Sequence, residues 1–124
     1  MKLTLENLQK QAEKLGWSVE IHEDYIGFTI YSPEEQEHFH EFTLKHLENG
    51  DVDFHSFIEE LYECADNFDV EENTMLWVDD EGHGKNGAPY HLKDVIKDME
   101  WCKKQSVKLY NKLNQFIIKN INKK

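Results

Sequence analysis

The stretch Trp17-Ser18-Val19-Glu20-Ile21-His22-Glu23-Asp24-Tyr25-Ile26-Gly27-Phe28-Thr29-Ile30-Tyr31 decides the fold. Trp17, Val19 and Ile21 alternate with Ser18, Glu20 and His22. After the turn pair Glu23-Asp24, Ile26, Phe28 and Ile30 alternate with Tyr25, Gly27, Thr29 and Tyr31. Side chains of a strand point alternately to opposite faces, so this pattern gives two half-buried strands joined by a short turn. A third run, Glu37 to Leu44, follows Ser32-Pro33-Glu34-Glu35. It places Phe42 and Leu44 on one face and Phe39 on the other, unless a bulge turns Phe39 inward. Residues 17–45 therefore read as an antiparallel meander with one apolar face.

Helical periodicity surrounds the meander. Before it, Leu5, Leu8, Ala12 and Leu15 form one stripe over 4–15. Thr4 is its expected N-cap, Leu3 and Leu8 its staple, Gly16 its C′ residue and Trp17 the apolar contact beyond. After the meander, Asp53 caps a helix over 53–68, with Val52 and Phe57 as the staple. Phe54, Phe57, Ile58, Leu61, Cys64, Ala65 and Phe68 form its apolar face. Asp69 with Glu72 looks like the cap of a short element over 70–79, helical through Trp77 or extended through Thr74, Leu76 and Val78. A glycine-rich loop covers 82–89. A long helix over 91–119 carries Leu92, Val95, Met99, Cys102, Ser106, Leu109, Leu113 and Phe116, widened by Ile96, Tyr110 and Ile117, and 120–124 are expected to fray. The stripes of the three longer helices need one common apolar surface, and the sheet supplies it. The expectation is one α+β domain over 1–124, a three-stranded antiparallel sheet packed by helices in the order α-β-β-β-α-(α)-α. The other sheet face, with Glu20, His22, Thr29 and Tyr31, is left to water or a partner.

Composition narrows the function. The chain has 124 residues, 25 acids, 14 lysines and no arginine, for a formal net charge of −11. The charge is segregated. Residues 1–19 carry net +1, residues 20–81 carry twenty acids against Lys45 alone, and residues 82–124 carry net +7. A nucleic-acid binder carries the opposite sign and uses arginine for forked phosphate and base contacts, so direct nucleic-acid binding is not expected. No run approaches the ~18 apolar residues of a membrane span. Met1-Lys2-Leu3-Thr4 leads into a polar, periodic segment rather than a signal peptide. Two cysteines make no disulfide framework, so the expected compartment is a reducing cytoplasm.

Candidate reactive sites are weak. Gly82 to Gly87 spells GxGxxG, but no βαβ unit surrounds it and Asp79, Asp80 and Glu81 would repel a pyrophosphate. A connector is the simpler reading. His22, His38 and His40, with Glu20, have the chemistry for zinc if the strands bring them together, yet no HExxH or CxxC spacing supports it. Cys64 and Cys102 lie on apolar helical faces, where thiols act as small hydrophobes. No catalytic residue, metal or cofactor is assigned.

The acids themselves are more informative. Glu59, Glu60, Glu63 and Asp66 share one side of a helix, and like charges one turn apart cost about 0.2–0.5 kcal/mol per pair. Asp69, Glu71 and Glu72 follow, then Asp79, Asp80 and Glu81. Carboxylates spaced along a small rigid body can imitate a row of phosphates and enter a basic cleft that evolved for DNA. These ten residues are the expected partner-binding set.

Two resemblances accompany this reading. The run Phe68-Asp69-Val70-Glu71-Glu72-Asn73-Thr74-Met75-Leu76-Trp77, then Gly87-Ala88-Pro89 and Leu92-Lys93-Asp94-Val95-Ile96-Lys97-Asp98, resembles a family of small acidic proteins encoded on bacterial phages and mobile elements. It covers roughly the C-terminal half and implies a mobile-element context without an activity. The order helix, meander, helix is similar to that of small acidic anti-CRISPR proteins that occupy the DNA groove of Cas9. That similarity implies a DNA mimic acting on a basic cleft, with a nuclease among the candidate partners. The alternative is a mobile-element interaction module, dimeric through the last helix.

Overall fold

The computed structural model describes residues 3–31, 39–45, 53–79, 81, 83–85 and 92–120. Helix α1 (Leu5–Glu13) starts where expected: the Thr4 hydroxyl accepts the Asn7 N–H at 3.1 Å. It ends where expected too. Gly16 adopts φ 95°, the Gly16 N–H reaches the Glu13 carbonyl and the Trp17 N–H reaches back to Ala12. A left-handed glycine with these two returning bonds turns the chain into the sheet. Gln9 fastens the junction by donating from Nε2 to the Val19 carbonyl at 3.0 Å.

Strands β1 (Ser18–Ile21), β2 (Tyr25–Tyr31) and β3 (Phe39–Lys45) form an antiparallel sheet in the order β1-β2-β3. Ile21 faces Ile26, Val19 faces Phe28, and Phe28 faces Phe42, so the alternation read from sequence sets the register. Ile26, Phe28, Ile30 and Leu44 are buried on the inner face, while Glu20, His22, Tyr25, Tyr31 and Glu41 are exposed on the other. Among the described residues the helices pack on the inner face, and the fold is α+β.

Helix α2 (Phe54–Asp66) is capped by Asp53, which accepts the Ser56 N–H and hydroxyl. The expected staple residue Val52 lies outside the described residues. Helix α3 (Val70–Thr74) is capped by Asp69, whose carboxylate accepts the Glu72 N–H at 3.2 Å. The 70–79 segment is therefore helix first. It continues as turns through Trp77 and then makes one antiparallel bridge, Val78 with Gly84.

Helix α4 (Leu92–Asn120) has 29 residues and is about 43 Å long at 1.5 Å per residue. It packs along α1, α2 and α3. Its C-terminal half gives Leu109, Leu113 and Ile117 to the main core, with Leu8, Phe28, Phe57 and Leu61. Its N-terminal half gives Val95, Met99 and Cys102 to a smaller core, with Phe68 and Val78. Trp101 packs against both.

Three details differ from the sequence reading. The seam leaves through Ile117 and Asn120, while Phe116 is half-buried and Leu92 exposed. Asn120 does not fray: it is buried, and its side-chain amide donates to the Phe116 carbonyl at 2.8 Å. Asp98, unmarked by any sequence pattern, is 1% exposed.

The end of α2 lacks a basic residue in its last turn. Lys103 of α4 supplies the charge: its Nζ donates to the carbonyls of Phe68 (2.8 Å), Asp66 (3.4 Å) and Ala65 (3.5 Å). A cation satisfying orphan carbonyls at a helix C-terminus is favourable both by hydrogen bonding and by the helix dipole. Lys103→Met keeps the stem and removes the charge. It is expected to lower stability by about 1–2 kcal/mol in urea titration, whereas Lys104→Met, at an exposed position, stays within about 0.5 kcal/mol.

Candidate functional site

Helix α2 carries the first group of expected residues. The apolar face Phe57, Leu61, Ala65 is buried against the core, which turns Glu59, Glu60, Glu63 and Asp66 outward, all exposed. Among the described residues, no lysine Nζ forms an ion pair with any of the four. Glu59 pairs with exposed His55 at 3.1 Å, one turn away. Lys103 reaches this helix but is engaged with backbone carbonyls, and Lys45 of β3 shares a depression with Glu60 and Glu63 without an ion pair to either among the described residues. The half-buried Cys64 thiol feels the result: burial first, then the charges of Glu60 and Glu63, push its pKa up.

The second group divides. Glu71 and Glu72 stand exposed in the first turn of α3, where the helix dipole favours acids. Asp69 has a structural duty as the cap of that helix. Asp79 has one as well: its Oδ1 accepts the N–H groups of His83 (2.8 Å) and Glu81 (3.0 Å). Those bonds, the His83 one foremost, hold the Asp79 carboxyl below its ordinary range. The Asp79 N–H donates to the His83 carbonyl and the Lys85 N–H to the Trp77 carbonyl, both at 2.8 Å. Trp77 to Asp79 and His83 to Lys85 are thus bridged to each other, while Gly82 and residues 86–89 of the expected glycine-rich connector lie outside the described residues. Two N–H groups of the turn are occupied by the chain's own carboxylate, so they are closed to a phosphate. Glu81 is exposed beside them, and Asp80 lies outside the described residues.

The histidines weighed for zinc are not brought together. His22 lies on the open sheet face, stacked on Tyr25 with centroids 4.3 Å apart and bonded to Glu20 at 3.2 Å. His40 points the other way, among the rings of Trp17, Phe42 and Phe68. His38 lies outside the described residues. Among the described residues, no three His, Cys, Asp or Glu gather around a common point for a metal. The open sheet face holds a shallow depression lined by Glu20, His22, Tyr25, Gly27, Thr29, Glu41 and Thr43. Its two acids have partners within that face, since Thr29 donates to Glu41 at 3.3 Å.

Neither thiol is set up as a nucleophile. Cys64 and Cys102 are both free, and burial together with the nearby Asp98 pushes Cys102 up to about 12. A thiolate nucleophile needs the reverse environment.

The sequence reading missed the aromatic pair beside the acids. Tyr62 of α2 meets Tyr110 of α4 edge to face, with centroids 5.3 Å apart. Tyr110 was placed on the widened seam, but Tyr62 fell outside the apolar stripe, and only the docking of the two helices brings them together.

Comparisons with family models, with curated proteins and with solved structures find no match to this chain. No helix among the described residues is long and apolar enough to cross a membrane.

Burial holds the His40 ring neutral, with a pKa lowered from 6.5 to about 4. The unfolded chain takes up a proton below pH 6.5 that the folded chain refuses until about pH 4, so this group costs stability as pH falls through that window. Relative to His40→Leu, the unaltered protein is expected to lose about 2–3 kcal/mol between pH 7 and pH 4. Urea titrations of both proteins across that range measure the difference, and the general relief of carboxylate repulsion cancels between them.

Proposed function

We propose that this chain is a non-enzymatic binding protein whose acidic face occupies a basic cleft of a nucleic-acid-binding partner. One observation carries the reading. Four outward carboxylates, Glu59, Glu60, Glu63 and Asp66, are held at fixed spacing on a helix with no lysine pairing them among the described residues. Like charges at helical spacing that no lysine offsets work against stability. A fold that retains them while using Lys103 elsewhere keeps a surface of negative potential, suited to fast, steered association with a basic partner. Glu71 and Glu72 on α3 and Glu81 in the turn are exposed acids that add to the negative potential.

The reading places the protein with inhibitors of the anti-CRISPR or anti-restriction type, acting in a reducing cytoplasm where Cys64 and Cys102 stay free. Its target is a protein cleft, with a nuclease as the leading kind. Capture on the immobilised chain at low salt, with release near ~0.5 M salt, is the expected behaviour, because exposed charge contacts are screened there.

The binding is collective, since exposed ion pairs are worth ~0.2–1 kcal/mol each. Neutralising three positions together, Glu59→Gln, Glu63→Gln and Asp66→Asn, is expected to weaken binding of the captured protein by about 1–3 kcal/mol and to flatten its salt dependence. The fold should persist or gain slightly, read by circular dichroism and urea titration. Unchanged binding by the folded variant would remove α2 from the interface.

A further inference from the structure

The groove between α2 and α4 adds an apolar element to the acidic face. Tyr62 is 50% exposed, and its ring stands at 66° to that of Tyr110. Half-buried Ile58 joins them, and Glu59 and Glu63 complete the lining of an open groove of about 570 Å³. Glu59 and Asp66 stand three residues before and four after Tyr62, so they share its stripe. Among the described residues no lysine lines the groove. The chain has no arginine of its own to fill it.

We propose that this groove receives an arginine side chain from the basic partner. The guanidinium lies on the exposed Tyr62 ring, and the carboxylates of Glu59 and Glu63 accept its N–H groups. This rests on the acidic-face reading above and names the anchor within it. The chemistry favours arginine over lysine. A guanidinium is planar and weakly hydrated, stacks on aromatic faces and offers a fork of N–H groups to a carboxylate. An ammonium is a compact, strongly hydrated point charge. Interfaces concentrate their binding energy on such aromatic and arginine contacts, with the surrounding charges setting encounter and orientation. Charge also argues against other occupants. A second copy seated here by two-fold symmetry would set Glu59 and Glu63 against the same acids. An anionic membrane surface would be repelled.

The test uses the full chain and two probes, an oligoarginine and an oligolysine peptide of equal length and charge, titrated calorimetrically at low salt. The arginine peptide is expected to bind about fivefold more tightly than the lysine peptide, and Tyr62→Ala to remove most of that preference with less than about a twofold effect on the lysine peptide. Tyr62→Phe, which keeps the ring, retains it. The pair Glu59→Gln with Glu63→Gln leaves the core untouched and weakens both peptides, which gives a second reading should Tyr62→Ala fold poorly. Equal binding of the two peptides, or a preference indifferent to Tyr62, would overturn the groove as an arginine site while the acidic face stands. Arginine-peptide affinity unchanged in the glutamine pair would overturn it as well. Failure of both peptides to bind would instead bring down the acidic-face reading itself. A dimer in sedimentation that Tyr62→Ala dissociates would assign the groove to a second copy and overturn the proposal.

Discussion

Everything in this structure depends on the seam of α4. One side of a 29-residue helix meets two separate groups of apolar side chains. Leu109, Leu113 and Ile117 close the core between α1, α2 and the sheet. Val95, Met99 and Cys102 close a second core over Phe68 and Val78. A three-stranded sheet with two short helices would bury little by itself, and domains of this size are stabilised by the extra surface a further element covers. The α3 segment, with five helical residues, has no independent stability, because helix nucleation is unfavourable at that length. It is ordered by what α4 offers it.

The same packing sets the electrostatics. Docking α4 along α2 brings the basic part of the chain beside the acidic part. That neighbourhood would be expected to neutralise the acids. Instead Lys103, a lysine that α4 brings to α2, turns its ammonium onto the carbonyls of Ala65, Asp66 and Phe68. It completes the helix end and leaves the side chains of Glu60, Glu63 and Asp66 to solvent. The acidic face is therefore produced by how the two helices meet as much as by the composition of residues 20–81.

Much of the fold could be read before the structure, because its signals are local. Thr4, Asp53 and Asp69 cap the helices they precede, and Gly16 takes the left-handed conformation that its place after a stripe requires. The alternation through Ile26, Phe28 and Ile30 sets the inner sheet face. His40 was legible in principle, since it shares parity with Phe42 and Leu44 on the same strand. Its polarity argued the other way, and burial among aromatic rings prevailed by keeping the ring neutral. Asp98, Lys103 and the Tyr62–Tyr110 pair carry no local signal. The lysine and the tyrosine pair are defined by contact between elements distant in sequence. The candidate acids were legible as residues, but not their differing duties. That Asp69 and Asp79 serve their own backbone follows from cap and turn geometry, while Glu59, Glu60, Glu63 and Asp66 are left outward by the burial of the opposite stripe.

The central claim is that this surface stands in for nucleic acid on a partner, and competition tests it most directly. The immobilised chain is loaded from a bacterial lysate at low salt, washed, and then challenged with short duplex DNA at the same ionic strength. The account predicts that the captured protein leaves with the duplex and that an uncharged polymer does not displace it. A captured protein that stays bound to the chain while also binding the duplex would contradict the account, because the two would then occupy different surfaces.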